Sequence, residues 1–289
     1  MEQIAICQKS TQDLYAAPSY LKAEARKRSC ARMLQDKPSA NCSAHMKFNR
    51  LTLYITSRCN VGSNYCDEKT AKESDGVIKV ASAKVAIEAL RAAAKSDPRL
   101  RVVKIAGSGD PLGSPVTFEV LSKIREEFPY FTRSVATDGL LLPKKLELLK
   151  ELGVNAITVN VNAVDATVGS QIYSYIRLNG KTLLGREAFE VLSINQLEGI
   201  RNAADAGMLV EVNAAYIPGV NSEHLVEVAK IVRSLGAYTL NIVPLASKRF
   251  AGLDVPSDEE MAQIRSDCED VCVPEVVLFT PSALSMVSA

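Results

Sequence analysis

Cys59 and Cys66 frame the run Cys-Asn-Val-Gly-Ser-Asn-Tyr-Cys, with Ser63 between them. A cysteine at 63 would make the spacing C-x3-C-x2-C. Three thiolates so placed can hold three irons of a [4Fe–4S] cluster and leave the fourth iron open to a ligand. As written, the middle donor is a hydroxyl. It is nearly isosteric with a thiol, but its pKa is far higher and its oxygen is a hard donor, whereas iron in a sulfide cluster favours soft thiolates. The run therefore points to iron–sulfur chemistry with a damaged ligand set.

The elements that must position this run follow from the hydropathy pattern. Strand-like runs occur at Leu51–Thr56, Val102–Ala106, Ser134–Thr137, Ala156–Val161, Leu209–Ala215, Thr239–Val243 and Val276–Phe279. Amphipathic helical stretches lie between them, near 82–96, 117–127, 144–152, 186–206, 222–235 and 257–270. Ser257-Asp258-Glu259-Glu260 is a capping box, and Gly153, Gly207 and Gly236 stand where helices should end. Repeated strand–helix alternation predicts an α/β fold with parallel strands joined by crossover helices. A (β/α) barrel, full or partial, is favoured because polar, glycine-containing turns follow the first strands at their carboxyl ends. A doubly wound open sheet is also compatible with the pattern alone.

On that rim, Thr56-Ser57-Arg58 leads from the first strand into Cys59. The second strand ends in Ala106-Gly107-Ser108-Gly109-Asp110-Pro111, where glycines let backbone approach a ligand closely. Ala136-Thr137-Asp138-Gly139 and Asn160-Val161-Asn162-Ala163-Val164-Asp165 end the third and fourth strands. The ordinary readings are a tight turn for the glycines and backbone satisfaction for the Asn and Asp residues.

The chain has 289 residues, 47% of them hydrophobic, and a formal net charge of +1. That suits one compact barrel over 49–289, preceded by an irregular extension over 1–48 that contains Pro18, Pro38 and the basic residues Lys22, Arg26, Lys27 and Arg28. The near-neutral charge gives no reason to expect nucleic acid. No apolar run approaches a membrane span, and the N-terminus lacks the pattern of a signal peptide, so a soluble, cytoplasmic protein is expected. The seven cysteines (Cys7, Cys30, Cys42, Cys59, Cys66, Cys268 and Cys272) are too sparse for a disulfide scaffold. Cys268 and Cys272 read as ordinary core or surface thiols, and His224 as a surface residue at a helix start.

Taken in order, these segments resemble the radical S-adenosylmethionine proteins of nitrogenase cofactor assembly, the NifB family. The resemblance runs from about Pro38 to the end. Besides the segments already quoted, it is carried by Val-Val-Lys-Ile-Ala-Gly-Ser-Gly-Asp-Pro-Leu (102–112), Ile-Tyr-Ser-Tyr-Ile-Arg (172–177), Gln-Leu-Glu-Gly-Ile (196–200), Ile-Pro-Gly-Val-Asn (217–221) and Leu-Gly-Ala-Tyr (235–238). It implies a [4Fe–4S] cluster and S-adenosylmethionine as cofactors, and fusion of iron–sulfur precursors with insertion of a carbon atom. Iron–sulfur or cofactor carrier proteins are the implied partners. It also implies Cys59, Ser63 and Cys66 as the cluster position, His45 as a precursor-cluster ligand, and Gly107, Gly109, Asp110, Thr137 and Asn162 as the lining of the S-adenosylmethionine pocket.

The chain departs from the family pattern chiefly at thiolates. The family's early His-Pro-Cys is Lys37-Pro38-Ser39, a cysteine after the cluster loop falls at or beside Lys72, another is Ser134, and the family's Asn is Asp138. The C-terminal Cys-x-x-Cys falls on Phe279 and Ser282. Impaired catalysis is the expectation. The alternative is a non-catalytic pseudoenzyme that keeps the barrel as a binding or scaffold protein. A deliberate Cys→Ser knockout ranks last, because Lys37, Lys72, Asp138 and Phe279 are not such substitutions.

Overall fold

The computed structural model describes residues 49–66, 77–80, 82–245 and 256–271. Its main sheet has seven strands: β1 (Asn49–Thr56), β3 (Val77–Lys79), β4 (Leu100–Gly107), β5 (Thr132–Thr137), β6 (Ala156–Asn160), β9 (Leu209–Tyr216) and β10 (Thr239–Pro244). All of their pairings are parallel, in the order β3-β1-β4-β5-β6-β9-β10. From β3 onward the chain moves across the sheet in one direction. Right-handed crossovers then put the helices packed in the main core on the same face. The order reverses once, where the chain passes from β3 back across β1 to β4. Doubly wound sheets carry helices on both faces, whereas among the described residues no helix joins β1 to β3. Among the described residues the sheet's edges are β3 and β10, and no described strand closes it.

The connecting helices are α1 (Ala83–Ser96), α2 (Pro115–Glu127), α3 (Leu142–Glu151), α4 (Ala166–Ile172), α5 (Gly185–Asp205), α6 (Leu225–Ser234) and α7 (Asp258–Val271). Their apolar faces bury Leu90, Leu121, Leu149, Ile200 and Val232 against Leu53, Ile105, Val135, Ile157 and Val212 of the strands. Cys268, on α7, belongs to this core. The capping box forms as the sequence predicts: Ser257 N donates to Glu260 Oε2 at 2.8 Å, and Glu260 N donates to Ser257 Oγ at 3.1 Å. None of the described helices is long and apolar enough to cross a membrane. The predicted strand at 276–279 lies outside the described residues, as do His45, Lys72, Phe279, Ser282 and the other four cysteines.

A second, antiparallel sheet was not anticipated. It consists of β2 (Val61–Ser63), β7 (Tyr173–Leu178) and β8 (Lys181–Leu184), in the order β2-β7-β8. Its hairpin had a sequence signal, since Asn179-Gly180 separates two strand-prone runs. Both residues have positive φ, 51° and 76°, as a two-residue hairpin turn with right-handed twist requires. A separate apolar cluster lies under this sheet, built from Val61, Ile172, Ile176, Phe189, Leu192 and Ile217.

Candidate functional site

The first two rim turns are stitched together by backbone. Gly109 N donates to Thr56 O at 3.2 Å, and Asp110 N donates to Arg58 O at 3.0 Å. A Cβ on Gly109 would sit 2.1 Å from Arg58 O, and one on Gly107 would sit 2.4 Å from Thr56 O. The close approach that these glycines permit is thus made by the chain's own cluster loop.

That loop is held as a strand. Val61, Gly62 and Ser63 pair with Ile176, Tyr175 and Tyr173. Asn64 N donates to Ile172 O at 2.8 Å, and Asn64 Nδ2 donates to Gln171 O at 2.7 Å. Gly62 lies so close to the Tyr175 ring that a Cβ would come within 2.2 Å of it. On the inner side, Asn162 Nδ2 donates to the hydroxyls of Tyr65 at 2.7 Å and Tyr173 at 3.0 Å, while its Oδ1 accepts from Ala215 N at 2.8 Å. Asn162 therefore spends its amide on anchoring the loop and on the end of β9.

Thr137 and Asp110 meet beneath the rim: Thr137 Oγ1 donates to Asp110 Oδ1 at 2.8 Å. Asp110 is buried, which pushes its carboxyl up to about 6. Asp138 stands between this carboxyl and the cluster loop. Its Oδ1 accepts from Leu140 N at 2.9 Å, and its Oδ2 accepts from the Cys59 thiol at 3.7 Å. Burial, and then the neighbouring Asp110, hold Asp138 well above the usual carboxylate range. Cys59 is exposed as a residue. The crowding around its sulfur and then the Asp138 carboxyl nonetheless push the thiol up to about 12.

The structure thus brings together Cys59, Ser63, Cys66, Gly107, Gly109, Asp110, Thr137 and Asn162 at the carboxyl end of the sheet. It adds Asp138, Tyr65 and Tyr173, which sequence reasoning did not assign to the site. These residues do not fit a [4Fe–4S] cluster held by three thiolates. The middle donor is a hydroxyl hydrogen-bonded to the Tyr65 phenol, a carboxyl faces the first thiol, and among the described residues no three His, Cys, Asp or Glu side chains gather to hold a metal ion.

Comparison with known proteins matches residues 53–232 to the Radical SAM superfamily model. The FeMo cofactor biosynthesis protein NifB of Klebsiella pneumoniae is 35% identical over 246 residues, covering 81% of this chain and 53% of that protein. The NifB of Methanocaldococcus infernus is 34% identical over 246 residues, covering 82% of this chain and 80% of its own. The chain belongs to the NifB family of radical SAM proteins. It spans about half the length of several relatives it matches, the Klebsiella protein among them. Two solved structures share the fold: SuiB of Streptococcus suis (TM-score 0.60, 13% identity, 90% of this chain and 54% of that one) and a radical SAM methyltransferase from Sphaerobacter thermophilus (TM-score 0.56, 21% identity, 80% and 65%).

His224 has a role in this member of the family that its sequence position did not suggest. It precedes α6, and its Nε2 accepts from Val164 N at 3.0 Å and from Asp165 N at 3.3 Å, fastening the turn that carries Asn162. Burial lowers its pKa despite Asp165 and Glu227 nearby, so the folded state prefers neutral imidazole. A lowered histidine pKa contributes stability above the ordinary value near 6.5 that is lost as pH falls through the folded value. His224→Ala is therefore expected to cost about 1 kcal/mol at pH 8 and less at pH 5. Urea unfolding of both proteins at the two pH values checks this.

Proposed function

We propose that the chain is a NifB-like radical SAM protein of iron–molybdenum cofactor biosynthesis whose iron–sulfur chemistry, including carbon insertion, is impaired. The observation that carries this reading is a NifB likeness over 246 residues combined with a cluster loop whose middle donor is Ser63. In this reading Gly107, Gly109, Asp110, Thr137 and Asn162 line a pocket for S-adenosylmethionine. Cys59, Ser63 and Cys66 mark the ancestral cluster position, and His45 is a surviving precursor-cluster ligand.

A second reading is a non-catalytic scaffold that binds S-adenosylmethionine or cofactor carrier proteins. The pairing of β2 with β7 favours it, because that pairing holds the loop with protein contacts alone.

Anaerobic reconstitution with iron and sulfide, followed by iron counting and an assay for 5′-deoxyadenosine, tests the proposal. Iron well below the roughly four per chain of one [4Fe–4S] cluster, with no 5′-deoxyadenosine above background, is the expected result. A full complement of iron with turnover would overturn the impairment. Equilibrium dialysis with S-adenosylmethionine then separates the two readings of an inactive protein. Binding supports the retained pocket, and its absence leaves only carrier proteins as partners.

A further inference from the structure

Asn221 closes the turn that follows β9, and it is fully buried. Its Nδ2 donates to Ala215 O at 2.8 Å and to Asn162 O at 2.9 Å, and its Oδ1 accepts from Ile217 N at 2.8 Å. A buried asparagine beside a turn ordinarily serves the backbone groups that the turn leaves open. Ala215 O and Ile217 N are such groups. Asn162 O is not, because it belongs to another strand's turn 59 positions earlier.

Asn162 carries the path onward. Its Oδ1 accepts from Ala215 N, so Asn162 and Asn221 hold the N–H and the carbonyl of one residue. Its Nδ2 donates to the Tyr65 and Tyr173 hydroxyls. Two amides in series therefore join the turn before α6 to the cluster loop. The pairing of β2 with β7 covers residues 61–63, and Tyr65 lies beyond it, next to Cys66. Each link uses a short side chain with two donors and an acceptor in one plane, which asparagine supplies and an ionised aspartate does not.

We propose that Asn221 is a positioning residue for the cluster loop. Acting through Asn162, it sets where Tyr65 stands and with it the end of the loop that carries Cys66. Its effect on a ligand rests on the rim being the S-adenosylmethionine site, whereas its effect on the loop does not.

Hydrogen exchange read by mass spectrometry tests this in Asn221→Asp, at pH 6 and pH 9 with correction for intrinsic rates. A protonated carboxyl at 221 keeps one donor for Asn162 O, and full burial favours that form. An ionised carboxyl has no donor and faces two carbonyl oxygens. Residues 59–66 should therefore exchange about tenfold faster than in wild type at pH 9, as for loss of one hydrogen bond, and nearly as in wild type at pH 6. Wild type at both pH values accounts for His224, Asp165 and Glu227, which lie beside the same turn. Faster exchange confined to 217–224, or equal at the two pH values, would reduce Asn221 to a local turn residue and overturn the proposal. Coupling is reciprocal, so Tyr65→Phe should speed exchange at Ala215 and Ile217 about threefold. That variant keeps the question answerable if Asn221→Asp fails to fold, as loss of protection in α1 would show. No change at Ala215 and Ile217 would likewise overturn the relay. Equilibrium dialysis with S-adenosylmethionine then reads the effect on a ligand, with binding about tenfold weaker in Asn221→Asp at pH 9 alone as the expected result. A wild type that binds none overturns the pocket, and exchange alone then decides the relay.

Discussion

Ser63→Cys combined with Asp138→Asn is expected to raise iron after anaerobic reconstitution from a trace to about four per chain, one [4Fe–4S] cluster. Two obstacles stand at the loop, and each variant removes one. Ser63→Cys supplies the missing soft donor, and the pairing of β2 with β7 already holds that position in place. Asp138→Asn replaces a carboxyl whose Oδ2 lies 3.7 Å from the Cys59 sulfur. An amide at 138 can still accept from Leu140 N through its oxygen, as Oδ1 does now at 2.9 Å, so the turn should survive. A cluster held by three thiolates brings negative charge, and a neighbouring buried carboxyl opposes it whether it must stay protonated or ionise. Ser63→Cys alone should therefore take up iron only partly, and Asp138→Asn alone hardly at all. Iron content and visible charge-transfer absorption of the four proteins provide the measurement. A double variant that stays colourless would show that loop geometry, rather than donor identity, bars the cluster.

Gly109→Ala should destabilise the fold by about 3 kcal/mol or more, among the largest single-residue effects to be expected here. The added methyl would meet Arg58 O at 2.1 Å and Arg58 C at 2.3 Å. Both are backbone atoms of the neighbouring rim turn, which cannot rotate away as a side chain would. Relief requires moving the segment that joins β1 to the cluster loop, at the cost of the Gly109 N–Thr56 O and Asp110 N–Arg58 O hydrogen bonds. Asp110 would then lose its placement beneath Thr137. Gly113→Ala offers the control, since its nearest neighbour, Leu141 Cδ1, is an ordinary 3.9 Å away. Urea unfolding should leave that variant near wild type while the Gly109 midpoint falls sharply.

The parallel framework was legible because each strand is a short apolar run and each helix announces its ends. Ser257 and Glu260 form the box that their spacing predicts, and Gly153, Gly207 and Gly236 adopt positive φ at helix ends. The Asn179-Gly180 hairpin carried an equally plain signal, but one overshadowed by the strand–helix alternation around it. Other features were hidden for physical reasons. β2 spans only three residues, Val61–Ser63, too few to show a period, and it exists because β7 offers an edge. His224 touches residues some sixty positions earlier, so its latch has no local trace. Lys104 lies inside a run otherwise typical of a strand buried on both faces, and hydropathy does not report that its side chain shares a face with Glu211. The site residues could be placed on one rim by strand order alone. That Asp138 would face Cys59, and that Asn162 would be committed to two tyrosines, required coordinates.

The strand-like cluster loop moves an entropic cost from ligand binding to folding. A loop shaped only by its metal must surrender about 1–2 kcal/mol of backbone freedom per residue when the metal arrives, so losing the metal means losing the shape. Here residues 60–64 are fixed by Arg177 N, β7 and the Ile172 and Gln171 carbonyls, and their ordering is complete before anything binds. Substitutions at the donor positions can then accumulate without collapse of the rim. Whatever docks there, nucleotide or protein, meets a surface already rigid, and its affinity is not diminished by the work of arranging it.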